Sequence, residues 1–158
     1  MRKLLKTKLD FLAYCLMPNN FHFLIVTLAD FKHGDFANEF KIMLSSYSQA
    51  INKQEKRSGS LFQQNSKSKC LTYETSRNTT DYGLICFNYI HQNPVVSGLV
   101  NKIEDWEFSS FKDFIGLRKG TLCNKNLAIK LFNLPLNSKD LYDLSYAVIK
   151  NKLIRIIY

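Results

Sequence analysis

Acid is scarce in this chain. Its 158 residues carry 13 Asp plus Glu against 22 Lys plus Arg, a formal charge of +9 with a sequence pI of about 9.4. That surplus favours a polyanionic partner, by counterion release and electrostatic steering. Proline and glycine are few, at 3 and 6. No Pro/Gly linker, internal repeat or low-complexity tract divides the sequence. The four cysteines, Cys15, Cys70, Cys86 and Cys123, form no C-x-x-C pair, which excludes metal knuckles and dithiol redox motifs. Scattered thiols without a secretion signal point to a reducing cytoplasm. The basic start at Met1 has its apolar run broken by Lys6, Lys8 and Asp10, unlike a leader peptide. No segment approaches the length of a membrane span, so no membrane partner is expected. A Gly-rich phosphate loop, H-E-x-x-H and G-x-S-x-G are missing. So are the paired carboxylates of glycoside hydrolysis.

Apolar residues make up 46% of the chain, enough for a core of modest size. Residues 9–17 (LDFLAYCLM) are short and apolar and stop at Pro18, which predicts a buried strand. Pro18-Asn19-Asn20 reads as a turn. Residues 21–28 (FHFLIVTL) predict a second strand, joined to the first as a hairpin. Alternation puts Asn20, His22, Leu24 and Val26 on one face. Phe36, Phe40, Leu44, Tyr47 and Ile51 recur at helical spacing, predicting a helix over 36–56 with Asp35 as its N-cap. Residues 53–77 hold Lys53, Lys56, Arg57, Lys67, Lys69 and Arg77 against Glu55 and Glu74. This basic, Ser/Gln-rich stretch suits contact with phosphates. A second helix is expected over 80–93, with Thr80 or Asp81 as cap and Pro94 just past its end. Ser109-Ser110-Phe111 starts a short helix. Residues 119–158 predict two or three small helices, the clearest from Asp140 to Ile157.

Three features carry chemistry. Asn20 and His22, two apart on a strand, can grip one ion from a sheet surface. Tyr89 and Asn93, four apart on a helix, point the same way. A tyrosine can serve as a covalent nucleophile, and an amide oxygen can complete a Mg2+ or Mn2+ shell. Basic residues precede that helix. Each feature alone is commonplace; a strand histidine or a helix tyrosine is usually structural.

In combination they resemble a known family. Tyr14-Cys15-Leu16-Met17-Pro18-Asn19-Asn20-Phe21-His22-Phe23-Leu24-Ile25 resembles the metal-binding segment of the single-tyrosine HUH transposases, and more narrowly of the REP-associated tyrosine transposases and their insertion-sequence relatives. Tyr89-Ile90-His91-Gln92-Asn93-Pro94-Val95-Val96-Ser97-Gly98-Leu99-Val100 is similar to their signature around the nucleophile. Ser58-Gly59-Ser60-Leu61-Phe62-Gln63 and Trp106-Glu107-Phe108-Ser109-Ser110-Phe111 match two further stretches, in order. The likeness spans roughly residues 9 to 118.

The resemblance implies an α+β fold, a ferredoxin-like antiparallel sheet with helices on one face. It implies a transposase-like domain over 1–118, followed by a helical C-terminal extension over 119–158. It implies that Tyr89 attacks a phosphodiester of single-stranded or hairpin DNA and forms a 5′-phosphotyrosine link. His22, Asn20 and Asn93 would hold Mg2+ or Mn2+, and Lys53, Lys56, Arg57, Lys67, Lys69 and Arg77 would contact DNA. Two departures stand out. Asn20 replaces the first histidine of the HUH pair, which predicts weaker metal affinity. Family members carry a further strand and helix before the segment matching Leu9. The expectation here is a sheet lacking its first strand, with an exposed edge or a rearranged sheet; a fragment read from an internal Met, a decayed copy and a homodimer that completes the sheet are the alternatives.

Overall fold

Apolar side chains at successive positions, ended by Pro18, make Leu9–Leu16 a strand (β1), and Phe21–Thr27 pairs with it antiparallel as β2. The amide of Met17 donates to the Asn20 carbonyl across 2.9 Å and closes the turn. The computed structural model describes residues 9–28, 31–62, 67–71, 79–147 and 149. Arg77 and residues 150–158 lie outside these.

The hairpin's register slips once. Phe11 pairs with Ile25 but Ala13 with Leu24, so Leu12 is an extra residue, a β-bulge. The slip sends Leu9 and Phe11 to one side of the sheet. Leu12, Ala13 and Cys15 go to the other, the side of His22 and Leu24.

Helix α1 spans His33–Gln54 and α2 spans Thr79–Val96. A 3-10 turn at Ile103–Asp105 leads to α3 (Phe111–Phe114), α4 (Lys125–Phe132) and α5 (Ser138–Ser145). The protein is thus α+β, a two-stranded antiparallel sheet with helices, half of a ferredoxin-like arrangement. No helix among the described residues is long and apolar enough to cross a membrane.

Helix α1 starts three residues earlier than the periodicity indicates. Lys32 is its N-cap, and Asp35 falls inside the first turn. Its Phe36 and Phe40 stack on each other, and Phe40 meets Phe21 and Phe23 edge-on. Helix α1 therefore lies over the face of β2 opposite His22.

Helix α2 is apolar nearly all round, so it is wedged into the core rather than laid on it. Its Tyr82, Cys86, Phe87, Tyr89 and Ile90 share one cluster with Leu12, Ala13, Cys15 and Leu24 from the sheet. Phe114, Ala128, Phe132, Leu134 and Leu141 belong to the same cluster. The segment from residue 119 thus contributes to the main core. Burying Phe87 completely stabilises the fold by roughly 1.5–3 kcal/mol. Gly83 lets the Phe132 ring lie directly on the α2 backbone. Pro94 sits in the last turn of α2 rather than beyond it. The chain leaves the helix through Gly98, whose φ of 69° closes the end with its amide on the Val95 carbonyl.

Two short returns of the chain seal the outer edge of β1. Leu16 N donates to Phe108 O (2.8 Å), Ser110 N to Tyr14 O (2.9 Å) and Asn124 N to Phe11 O (2.8 Å). Among the described residues β2 pairs only with β1.

Candidate active site

Strand β2 and helix α2 bring together three of the residues singled out in the sequence. His22 projects from β2 towards α2. Tyr89 and Asn93, one helical turn apart, both face it. The Asn93 amide Nδ2 donates to His22 Nε2 across 2.8 Å. The Tyr89 and His22 rings meet edge-to-face with centroids 5.7 Å apart. Burial holds the His22 imidazole below its ordinary pKa. It is therefore neutral, and its Nε2 lone pair accepts the amide proton.

Asn93 Oδ1 accepts a longer contact from Ser97 Oγ, at 3.4 Å. Tyr89 is only 8% exposed. Asn20 stands two residues before His22, at the start of the strand. Its Oδ1 is buried with no hydrogen-bond partner. A buried acceptor left unpaired costs on the order of 1–3 kcal/mol, and an arriving cation would relieve that cost.

Among the described residues no three His, Cys, Asp or Glu side chains cluster as a metal site. The donors on offer are one imidazole and two amides, all neutral. Amide oxygens suit a hard divalent ion, and the orphaned Asn20 Oδ1 is consistent with one. A donor set without a carboxylate would hold such an ion only weakly.

The basic residues are placed elsewhere. Lys53 lies in the last turn of α1, the helix that covers the opposite face of the sheet, and Lys56 and Arg57 follow its end, all three exposed. Lys67 and Lys69 are exposed too. Lys69 Nζ lies 5.9 Å from the centroid of the Tyr82 ring, two turns before Tyr89 on α2. Arg77 lies outside the described residues.

The sequence reading gave no role to the groups that hold α2 in place. Asn88 Nδ2 donates to Leu144 O (3.1 Å). Gln92 Nε2 donates to Ser145 O (2.7 Å) and Ala147 O (2.9 Å). These bonds satisfy carbonyls at the end of α5. On another side of α2, His91 Nε2 lies 2.8 Å from Ser110 Oγ. The Ser109-Ser110 motif thus has a task that its sequence does not declare.

Arg118 carried no signal in the sequence, yet it organises the loop after α2. It donates to both carboxylate oxygens of Asp113 (2.6 and 3.0 Å), to Ser109 O (2.6 Å), to Glu107 O (2.7 Å) and to the Tyr14 hydroxyl (2.9 Å). The hydrogen bond with Asp113 raises the guanidinium pKa further above its ordinary value. No protein-family model, curated protein or solved structure matches this chain.

Proposed function

We propose that the protein binds single-stranded or hairpin DNA, and cuts and rejoins it through Tyr89, in the manner of the single-tyrosine HUH transposases. One observation supports this above the others. Tyr89, His22 and Asn93 arise 71 residues apart at the widest, yet meet in one place. In the proposed reaction the Tyr89 phenolic oxygen bonds to phosphorus and the bond from phosphorus to the 3′ oxygen breaks. The phenolic proton is lost to water, and the departing oxygen takes up a proton to become a 3′-hydroxyl. Attack by a 3′-hydroxyl on the phosphotyrosine reverses these steps and rejoins a strand.

His22, Asn20 and Asn93 would hold Mg2+ or Mn2+, and binding would exchange the hydrogen bond between Asn93 Nδ2 and His22 Nε2 for the ion, because that nitrogen has one lone pair; when bound, the ion supplies positive charge at the scissile phosphate. The chain's own residues orient the parts. Asn93 fixes the His22 ring, and α2 carries Tyr89 beside it. Lys53, Lys56, Arg57, Lys67 and Lys69 supply the charge that draws in the backbone. The cytoplasmic setting and the homodimer belong to the same proposal.

A second reading is a relative that grips DNA without cutting it. The low exposure of Tyr89 and the neutral donors favour it. Incubation with hairpin oligonucleotides and Mg2+ or Mn2+ separates the two. A covalent adduct in the wild type that is lost in Tyr89→Phe supports cleavage. Binding without any adduct leaves the second reading.

A further inference from the structure

We propose that His91 is a positioning residue. Through Ser110 it sets the rotation of α2 against β1, and so brings Tyr89 and Asn93 to His22. Its consequence for catalysis rests on the reading of Tyr89 as nucleophile; its consequence for geometry does not.

His91 is fully buried. Its ring lies against Phe87 at 4.4 Å, Phe111 at 5.6 Å and Phe114 at 6.0 Å between centroids. An imidazole is a costly occupant of such an aromatic cage. Nδ1 is buried without a partner, and burial pushes the ring's pKa down to about 3. A phenylalanine would fill the same space with no polar group to desolvate. What the imidazole supplies instead is a bond with a direction.

That bond ends on a serine fastened twice to the sheet. Tyr14 N donates to Ser110 Oγ at 3.0 Å, and Ser110 N donates to Tyr14 O at 2.9 Å. The Ser110 hydroxyl can donate to Tyr14 O at 3.3 Å. Its remaining lone pair then accepts Nε2–H from His91, which satisfies every group on the serine. The next residue of β1, Cys15, is the register partner of His22. A continuous path therefore runs from α2 through Ser110 and the β1 backbone to the strand beside His22. Arg118 stiffens this path by holding Ser109 O, Glu107 O and the Tyr14 hydroxyl together.

Helical geometry gives the strut leverage. His91 lies two residues from both Tyr89 and Asn93, roughly 200° around the helix from each. It therefore holds α2 from the side away from His22. Turning α2 by one residue, about 100°, would break the Ser110 bond and swing Tyr89 and Asn93 off His22 together.

The test uses the full chain with His91→Phe, which keeps the ring volume, and Ser110→Ala, which cuts the bond from the other end should the first variant not fold. The readouts are thermal stability, oligonucleotide affinity, adduct rate and the ring-nitrogen NMR signals of His22. Both variants are expected to keep their DNA affinity; His91→Phe should also keep its melting temperature, whereas Ser110→Ala, which leaves the Tyr14 amide without its acceptor, should melt lower. Their His22 signals are expected to move towards those of Asn93→Ala, and the adduct rate to fall about tenfold or more. His91→Gln, which can reach Ser110 again, is expected to restore part of the rate. Unchanged His22 signals in both single variants overturn the proposal. If those signals move while the wild type forms no adduct with any oligonucleotide, the strut stands and the cleavage reading falls.

Discussion

The Asn93 amide donates to His22 Nε2 at 2.8 Å, so the residue expected to complete a metal shell is also the one that holds the histidine still. Removing it leaves a partly buried imidazole nitrogen unpaired. Asn93→Ala is expected to cost about 1–3 kcal/mol in urea denaturation. Asn20→Ala should cost far less or stabilise slightly, because the Asn20 Oδ1 has no partner to lose. Equal losses for the two variants would contradict this assignment of partners.

A carboxylate beside the site should strengthen metal binding. At contact distance one added charge contributes on the order of 1–4 kcal/mol. Asn20→Asp is therefore expected to raise Mn2+ affinity about tenfold or more, read by calorimetry, and chelation with EDTA should reverse the effect. Asn20→His, which supplies a second imidazole, should increase the rate of any adduct. No gain in affinity from either change would remove Asn20 from the ligand set.

Helix α2 tolerates no side chain at Gly83. A Cβ there would overlap the Phe132 ring. Alanine normally favours a helix over glycine by about 1 kcal/mol, but displacing a packed ring costs about 1–3 kcal/mol. Gly83→Ala is thus expected to lower the melting temperature. A rise would mean that Phe132 moves freely.

Thiol reactivity should divide the cysteines. Burial raises Cys86 to about 11 and Cys15 and Cys123 to about 12. A raised pKa means less thiolate at any pH below it, and thiolate is the reactive form. Cys70 is exposed. At pH 8 one thiol, Cys70, should react quickly with a disulfide reagent. The other three should wait for unfolding, as counted by mass spectrometry. Rapid modification of all four would show the core to be open.

The basic residues near the end of α1 are tested by salt. Replacing Lys53, Lys56 and Arg57 with alanine removes three cations. The slope of log affinity against log salt should fall by about 2 for single-stranded DNA. Weaker binding with an unchanged slope would mean these residues act other than on phosphates.

The hairpin and both long helices were legible because their signals are local. Pro18 ended β1, and a 3.6-residue period marked α1. The pairing of Tyr89 with Asn93 followed from helical spacing alone. Leu12 was not legible. Read by strict alternation, Leu9, Phe11, Ala13 and Cys15 share one face, and only the extra residue divides them between two. The contacts of Ser110 and Arg118 with Tyr14 span 96 and 104 residues. No spacing rule encodes bonds between segments that meet only after folding. The unpaired oxygen of Asn20 becomes visible only with the surrounding atoms.

The grip of Asn88 and Gln92 on the last turn of α5 has a practical consequence. A copy of this chain cut after Asn137 would strip three backbone acceptors from the back of the tyrosine's helix and leave two amides facing solvent or vacant space. Shortened versions should thus lose whatever Tyr89 does even though His22 and Asn93 are intact. The tail is a clasp, and a minimal domain drawn by sequence likeness alone would leave it undone.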